Sequence, residues 1–323
     1  MTMENKFVVS MSPHIHEKEG ISGIMLDVII ALLPAVLAGV YYFGYRAAIV
    51  VITAVAACVI SEYLYLKLMK KNNAVRDLSA VVTGIILGVN MPPSIPLWMV
   101  VAGSVFAIVL VKQLYGGIGK NFMNPALAAR GFMLIAWASA MSGFTVPFAG
   151  VDAITSATPL AVMKGVSEGT VPALRDAFWG AVPGCIGETS VFAILIGFVY
   201  LLARRVISWK IPVTYILVFA VLTYFFGKNT ADIPQFEYTL LQLCTGGIML
   251  GAVFMATDYT TTPTTPAGII IFGAGCGLLN FLFRKFGASS EGTSFAILLM
   301  NIVVPMIDKY TVPKKFGAVK KAK

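Results

Sequence analysis

From Ile24 onward the chain is a succession of apolar runs, most about as long as a bilayer is thick, joined by short polar connections. A helix rising about 1.5 Å per residue needs about 20 apolar residues to cross the hydrocarbon. Runs near 24–44, 47–69, 78–91, 95–115, 122–141, 185–203, 211–227, 238–257, 266–284 and 293–312 meet or approach that length. Only 12% of the residues are charged and 58% are apolar, against about 25% and about 45–50% in a soluble domain. That is too little charge to cover a water-facing exterior. The expectation is an all-α integral membrane protein of about ten transmembrane helices, solvated by the lipid bilayer.

A net charge of +9 points first to nucleic acid. The distribution excludes that partner, because the basic residues sit in short clusters between apolar runs, as in loops held on the cytoplasmic side. With the N-terminus inside and ten alternating spans, the inside segments carry 17 Lys and Arg and the outside segments 6, with Arg130 inside a span. Lys112 counts with the inside segments and Arg284 with the outside. Both termini are therefore expected in the cytoplasm. The polar first 22 residues read as a short cytoplasmic arm rather than a cleavable signal peptide.

The two halves echo one another. Thr83-Gly84-Ile85-Ile86-Leu87-Gly88 matches Thr245-Gly246-Gly247-Ile248-Met249-Leu250-Gly251; Pro96 and Gly103 match Pro266 and Gly273; Gly119 and Phe122 match Gly292 and Phe295. Five spans per half is an odd number, so similar halves must enter the membrane in opposite orientations. The expected architecture is a five-plus-five inverted repeat with broken third and eighth spans, which places a functional site near the midplane. The third run is short and ends in Asn90-Met91-Pro92-Pro93, and the eighth ends at Thr257-Asp258-Tyr259. The segments are then an arm (1–22), a first membrane repeat (23–141), an extracytoplasmic loop (142–184), a second repeat (185–312) and a basic cytoplasmic tail (313–323).

Charges inside spans are expensive and usually purposeful. Asp27, Glu62, Arg130, Asp258 and Asp308 are such charges. An ion pair is the ordinary reading of each. Asp258, next to Thr257 and the hydroxyls of Thr260 to Thr262, also reads as an oxygen set suited to a hard cation. Asn124-Pro125 opens the fifth span, and an Asn N-cap followed by Pro at the first helical position explains that pair by capping. The glycines of Gly116-Gly117-Ile118-Gly119 just before it leave ligand contact open. On the long loop, Thr158-Pro159 reads as the start of a short helix, after Asp152 and the small residues Ser156 and Ala157. A helix start attracts phosphate through free N–H groups and a partial positive charge. Capping by Thr158 is the plainer reading. Cys58, Cys185, Cys244 and Cys276 show no CxxC spacing, so no zinc or iron–sulfur site is expected from this chain alone.

The run from Asp152 to Thr158, ending Ser-Ala-Thr-Pro-Leu-Ala, resembles the flavinylation motif of one family of membrane proteins. That family is shared by the D component of the Rnf complex and the B component of the sodium-pumping NADH:quinone oxidoreductase. The resemblance extends along the chain through Gly119-Lys120-Asn121 and Asn124-Pro125-Ala126-Leu127, Met255-Ala256-Thr257-Asp258 and Thr261-Thr262-Pro263, and Glu291-Gly292 with Ser294-Phe295-Ala296 and Met300-Asn301. The common form Ser-Gly-Ala-Thr is Thr155-Ser156-Ala157-Thr158 here, which keeps small residues before the acceptor. The short N-terminal arm resembles the Rnf protein more than the longer quinone-reductase one.

The resemblance implies FMN held covalently through a phosphoester on Thr158, on the outer side of a bacterial cytoplasmic (inner) membrane. It implies one subunit of a six-subunit redox pump between ferredoxin and NAD, coupled to Na⁺ or H⁺ movement and containing a second covalent-FMN subunit. It also implies a non-covalent riboflavin near Asn124, and ion or flavin roles near Asp308. The chain is expected to relay electrons as a component of an oxidoreductase and not to act alone. No dinucleotide fingerprint is present, so NAD binding by this chain is not expected. The rivals are a quinone-reductase component and a solute channel with no redox role, for which Thr158 is only a helix cap.

Overall fold

The computed structural model describes residues 20–70, 77–148, 156–167, 169–229, 233–287 and 291–312. Asp152 and the C-terminal tail lie outside the described residues, as does the N-terminal arm up to residue 19.

The long apolar runs fold as helices. α1 (Ile21–Phe43) and α2 (Tyr45–Leu68) are joined through Gly44, whose φ of 75° turns the chain back at once. α3 (Ser79–Val89) follows, then α4 (Leu97–Gln113) and α5 (Pro125–Ala136). Three short helices, α6 (Ala138–Met141), α7 (Pro159–Met163) and α8 (Leu174–Trp179), precede the second half. That half comprises α9 (Val191–Ala203), α10 (Lys210–Phe226), α11 (Gln235–Cys244), α12 (Ile248–Met255), α13 (Pro266–Phe286) and α14 (Thr293–Thr311).

Four helices are long and apolar enough to cross a membrane alone: α1, α2, α13 and α14. The pair α11–α12 makes a fifth, bent by 60°. The other apolar helices run to 10–17 residues. The expected apolar runs thus appear as long helices in four or five cases and as shorter apolar helices elsewhere. Large apolar side chains such as Leu37, Ile52, Val199 and Met306 point outward, as lipid-facing residues must. The protein is a multi-pass membrane protein.

The helix pairing agrees with a five-plus-five plan. Where the halves meet, α1 packs on α9 and α5 on α14, so first joins first and last joins last. At the α1–α9 contact a Cβ on Gly197 would lie 2.2 Å from the Ala31 carbonyl oxygen, so only glycine allows that approach.

Two expectations about breaks need revision. The eighth span breaks at Thr245-Gly246-Gly247, in its middle, rather than at Thr257-Asp258. Gly246 and Gly247 have φ of 70° and 69°, a conformation that glycine adopts without strain. The sixth span begins at Val191 rather than 185. Before it, residues 185–190 run into the bundle without helix, and Ile186 and Gly187 donate their N–H groups to Met91 and Val89 carbonyls at 3.1 and 2.8 Å. The end of α3 and this inserted stretch satisfy each other's backbone, which is what unwound chain inside a membrane protein requires.

Candidate functional site

Polar residues gather at opposite ends of the bundle. The face where α1 begins is here the entry face, and the face where it ends is the exit face.

At the entry face a cavity of about 320 Å³ opens between the halves. Asn124, Lys112, Thr83, Phe254, Asp258 and Thr260 are on its wall. Asn124 caps α5: its Oδ1 accepts from the Ala126 and Leu127 N–H groups at 3.0 and 3.3 Å, and its Nδ2 donates to the Met255 carbonyl at 3.4 Å. Capping and a place on the cavity wall therefore coexist. Asp258 accepts from the Thr260 and Thr261 hydroxyls at 3.2 and 3.3 Å and from the Thr260 N–H at 3.4 Å. Those hydroxyls thus brace the carboxylate instead of standing open as a ready cation cage. Asp308 accepts from the Thr264 N–H at 3.1 Å and holds the far end of the same loop, away from the cavity wall.

Lys112, counted from sequence as a loop cation, is buried at 3% exposure. The last turns of α4 are π-helical. They bring Lys112 Nζ to Glu62 Oε1 and Ser79 Oγ, both at 2.6 Å. The resulting buried pair links α2, α3 and α4 beside the cavity. Asp27 pairs with Arg204 at 3.2 Å across the α1–α9 contact.

At the exit face Thr158 is the N-cap of α7, and its hydroxyl accepts from the Ala161 N–H at 3.3 Å. Ser156 donates its N–H to the Phe144 carbonyl at 2.8 Å, and Ala157 lies between them, partly buried. The Thr158 side chain borders a crevice of about 10 Å³ whose other walls include Glu188, Thr189, Thr245, Gly246 and Glu291.

Beside that crevice lies a group of buried charges, of which sequence reasoning found Arg130 and missed the partners. Arg130 donates to Glu291 Oε2 at 2.6 Å, to Asn90 Oδ1 at 2.7 Å and to Cys185 Sγ at 3.5 Å. Glu188 Oε1 accepts the Cys185 N–H at 2.9 Å, while its Oε2 has no hydrogen-bond partner. Cβ atoms on Gly246 and Gly247 would each come within 2.7 Å of charged atoms, Arg284 Nη2 and Glu188 Oε2 respectively. The glycines that break the eighth span therefore also admit these charges. Arg284, counted from sequence as a loop charge, is buried at 7% exposure. Removing it and Lys112 from the loop count leaves the asymmetry in the same direction. Ligating atoms of Cys185, Glu188 and Glu291 lie within 4.8 Å of one another. Arg130 already neutralises Glu291 and contacts the thiol, so the group reads as a hydrogen-bonded charge cluster rather than a metal centre. The available signal was Gly187-Glu188-Thr189 and Glu291-Gly292, acids beside helix starts, to which the sequence attached no role.

The repeat relates the two ends. Ile118, which borders the entry cavity beside Gly119, corresponds at the offset of Gly119 and Gly292 to Glu291 at the exit crevice. Each chamber includes the broken-helix region of one half and the stretch before that half's last helix, together with residues from elsewhere in the chain.

The chain has known relatives along almost its whole length. The model of the NQR2, RnfD, RnfE family matches residues 8–317. The chain is 44% identical over 319 residues to the D component of the Na⁺-translocating ferredoxin:NAD⁺ oxidoreductase complex of Acetobacterium woodii, covering 98% of this chain and 97% of that one. It is 42% identical over 326 residues to the D component of the proton-translocating ferredoxin:NAD⁺ oxidoreductase complex of Clostridium ljungdahlii, covering 97% of each. It is 36% identical over 351 residues to the D component of the ion-translocating oxidoreductase complex of Salmonella newport, covering 96% of this chain and 98% of that one. The resemblance read from the motifs is borne out: this chain belongs to the NQR2, RnfD, RnfE family.

Proposed function

We propose that the chain is the membrane subunit of an ion-translocating ferredoxin:NAD oxidoreductase (Rnf) complex, relaying electrons through FMN esterified to Thr158 and coupling their passage to Na⁺ or H⁺ movement. Such a protein acts only in the assembled complex, with six subunits, one of them a second covalent flavoprotein. Both termini are cytoplasmic in this reading, so the Thr158 face lies outside the bacterial cytoplasmic membrane.

The observation that carries the reading is the placement of Thr158 itself. It is a hydroxyl at a helix start, on a loop between the halves, beside the crevice that leads to Arg130, Glu188 and Glu291. The Ala161 N–H already points at its oxygen and would serve an ester phosphate in the same position. The residues before it, Ser156 and Ala157, are small. Once attached, the flavin supplies the electron-carrying chemistry, and the protein supplies position and electrostatics. The entry cavity, largely apolar with a few convergent polar groups, has the character of a small-molecule site. It is our candidate for a non-covalent riboflavin beside Asn124. Asp258 and Asp308 are proposed to act near the ion path on that face.

The test is expression of the chain with an FMN transferase, followed by a denaturing gel viewed under ultraviolet light beside Thr158→Ala. A fluorescent wild-type band that disappears in the variant is expected. A dark wild-type band, with the transferase active on a control, would sink the redox reading and leave the non-redox channel. Normal ion-coupled turnover in Asp258→Asn or Asp308→Asn would remove that residue from the ion path.

A further inference from the structure

A second exit-face cavity, of about 320 Å³, is used by nothing above. Its wall includes Lys164, Thr223, Lys228, Arg284, Lys285 and Phe286. Lys164 follows α7, Thr223 lies in the last turn of α10 with Lys228 two residues beyond its end, and Arg284 to Phe286 form the last turn of α13. The cavity therefore sits where membrane helices reach the interface.

Its charge is one-sided. Four cations face it, and none of its described lining residues is acidic. Arg284 makes no ion pair among the described residues. It donates instead to neutral oxygens at the end of α11: the carbonyls of Gln242, Thr245 and Gly246, at 2.6, 2.8 and 2.9 Å, and Gln242 Oε1 at 2.9 Å. Glu188 and Glu291 act on it only from longer range. Burial and the nearby Arg284 hold the Lys164 ammonium below its usual range, the mark of cations crowded together.

Cations at helix C-termini are ordinary, because the last carbonyls carry a partial negative charge. That accounts for Lys285 and for the Arg284 contacts to α11. It does not account for two buried polar atoms left without partners in residues that border the cavity, Thr223 Oγ1 and Arg284 Nε. Buried donors are nearly always satisfied by something. Both residues border one cavity, and both atoms are donors.

We propose that this cavity binds the phosphate headgroup of an anionic phospholipid from the leaflet at the exit face. Lys228 and Lys285, both exposed, close over the charge from the water side, and the Thr223 and Arg284 side chains turn their unpartnered donors toward the seated phosphate. A lipid is favoured over a soluble anion by the surroundings. Phe225, Phe226 and Phe286 stand 70%, 59% and 74% exposed at the same level, a place for acyl chains beneath an interfacial aromatic rim. Basic pockets between membrane helices suit such headgroups. The proposal stands apart from the flavin reading.

The test uses the full-length chain in nanodiscs of phosphatidylcholine with phosphatidylglycerol, re-extracted in mild detergent and read by native mass spectrometry. The wild type is expected to retain a phosphatidylglycerol adduct and to discriminate against phosphatidylcholine. Lys228→Gln and Lys285→Gln should each lower the retained fraction about fivefold, and the double variant roughly 25-fold. Thr223→Val, which changes no charge, should lower it severalfold. Arg284 is left intact because it caps α11. The exposed single-lysine variants carry the test if the double variant fails to fold. Equal retention in wild type and variants, or equal retention of both lipids, overturns the proposal. So does loss of gel-resistant flavin fluorescence in the lysine variants with lipid retention unchanged, which would assign the cavity to the flavin.

Discussion

Replacing Arg130 with Met should destabilise the protein more than any surface substitution. The guanidinium reaches Glu291 Oε2 at 2.6 Å, and the two side chains are only 3% and 10% exposed. The same Arg130 satisfies Asn90 Oδ1, and Glu188 stands within electrostatic range. Removing the cation leaves Glu291 and Glu188 facing each other without it, beside an amide oxygen that has lost its donor. Breaking a buried pair from one side costs about 3–5 kcal/mol. That corresponds to roughly a hundred- to several-thousand-fold in the folding equilibrium. Replacing both partners removes the stranded charge, so Arg130→Met combined with Glu291→Gln should recover about half of the loss or more. The assay is a double-mutant cycle on the purified chain, read by denaturant-induced unfolding in detergent micelles. A coupling below about 1 kcal/mol, the range of exposed pairs, would refute the reasoning. It would mean that water reaches the pair and that the cluster is not the buried hub described here.

The Asp27–Arg204 pair supplies the contrast: Arg204 is 51% exposed, so Asp27→Asn should cost less than about 1 kcal/mol and the difference should shrink in high salt. Asn124→Ala removes the oxygen that accepts two N–H groups at the start of α5, for a loss of about 0.5–2 kcal/mol in unfolding free energy. If Asn124 also faces a bound riboflavin, non-covalent flavin recovered after acid extraction of the purified complex should fall as well, while fluorescence on Thr158 stays. Gly197→Leu forces a side chain against the Ala31 carbonyl and Phe254; about 1–3 kcal/mol of overpacking is expected, with poor recovery of folded protein by size-exclusion chromatography. Wild-type recovery would show that the two halves are looser at α1–α9 than the geometry states.

Much of the scaffold was legible because lipid imposes simple rules. Apolar length gave helices, and Lys and Arg clustering supplies the orientation used in the proposed function. Asn124-Pro125 and Thr158-Pro159 were read as helix starts from residue type alone, and both cap as expected. The intramembrane charges were also visible one by one, and the ion-pair reading holds for Asp27, Glu62 and Arg130. Their partners were not visible, since Glu62 finds Lys112 fifty residues away and Arg130 finds Glu291 across 161 residues of chain. Lys112 and Arg284 show the limit most plainly. Each lies near the end of an apolar run, where a cation facing water and one turned inward look identical in sequence.

By itself, then, the sequence determined the solvent, the helical class, the family and the helix starts at Asn124 and Thr158, all of which rest on residue type and local order. Only the tertiary structure decided where the eighth span bends, which charges are buried together, and which residues of distant segments form each chamber. Those are questions of long-range approach, set by glycines that let two backbones meet and by buried charges that must find a counterpart wherever the packed chain places one.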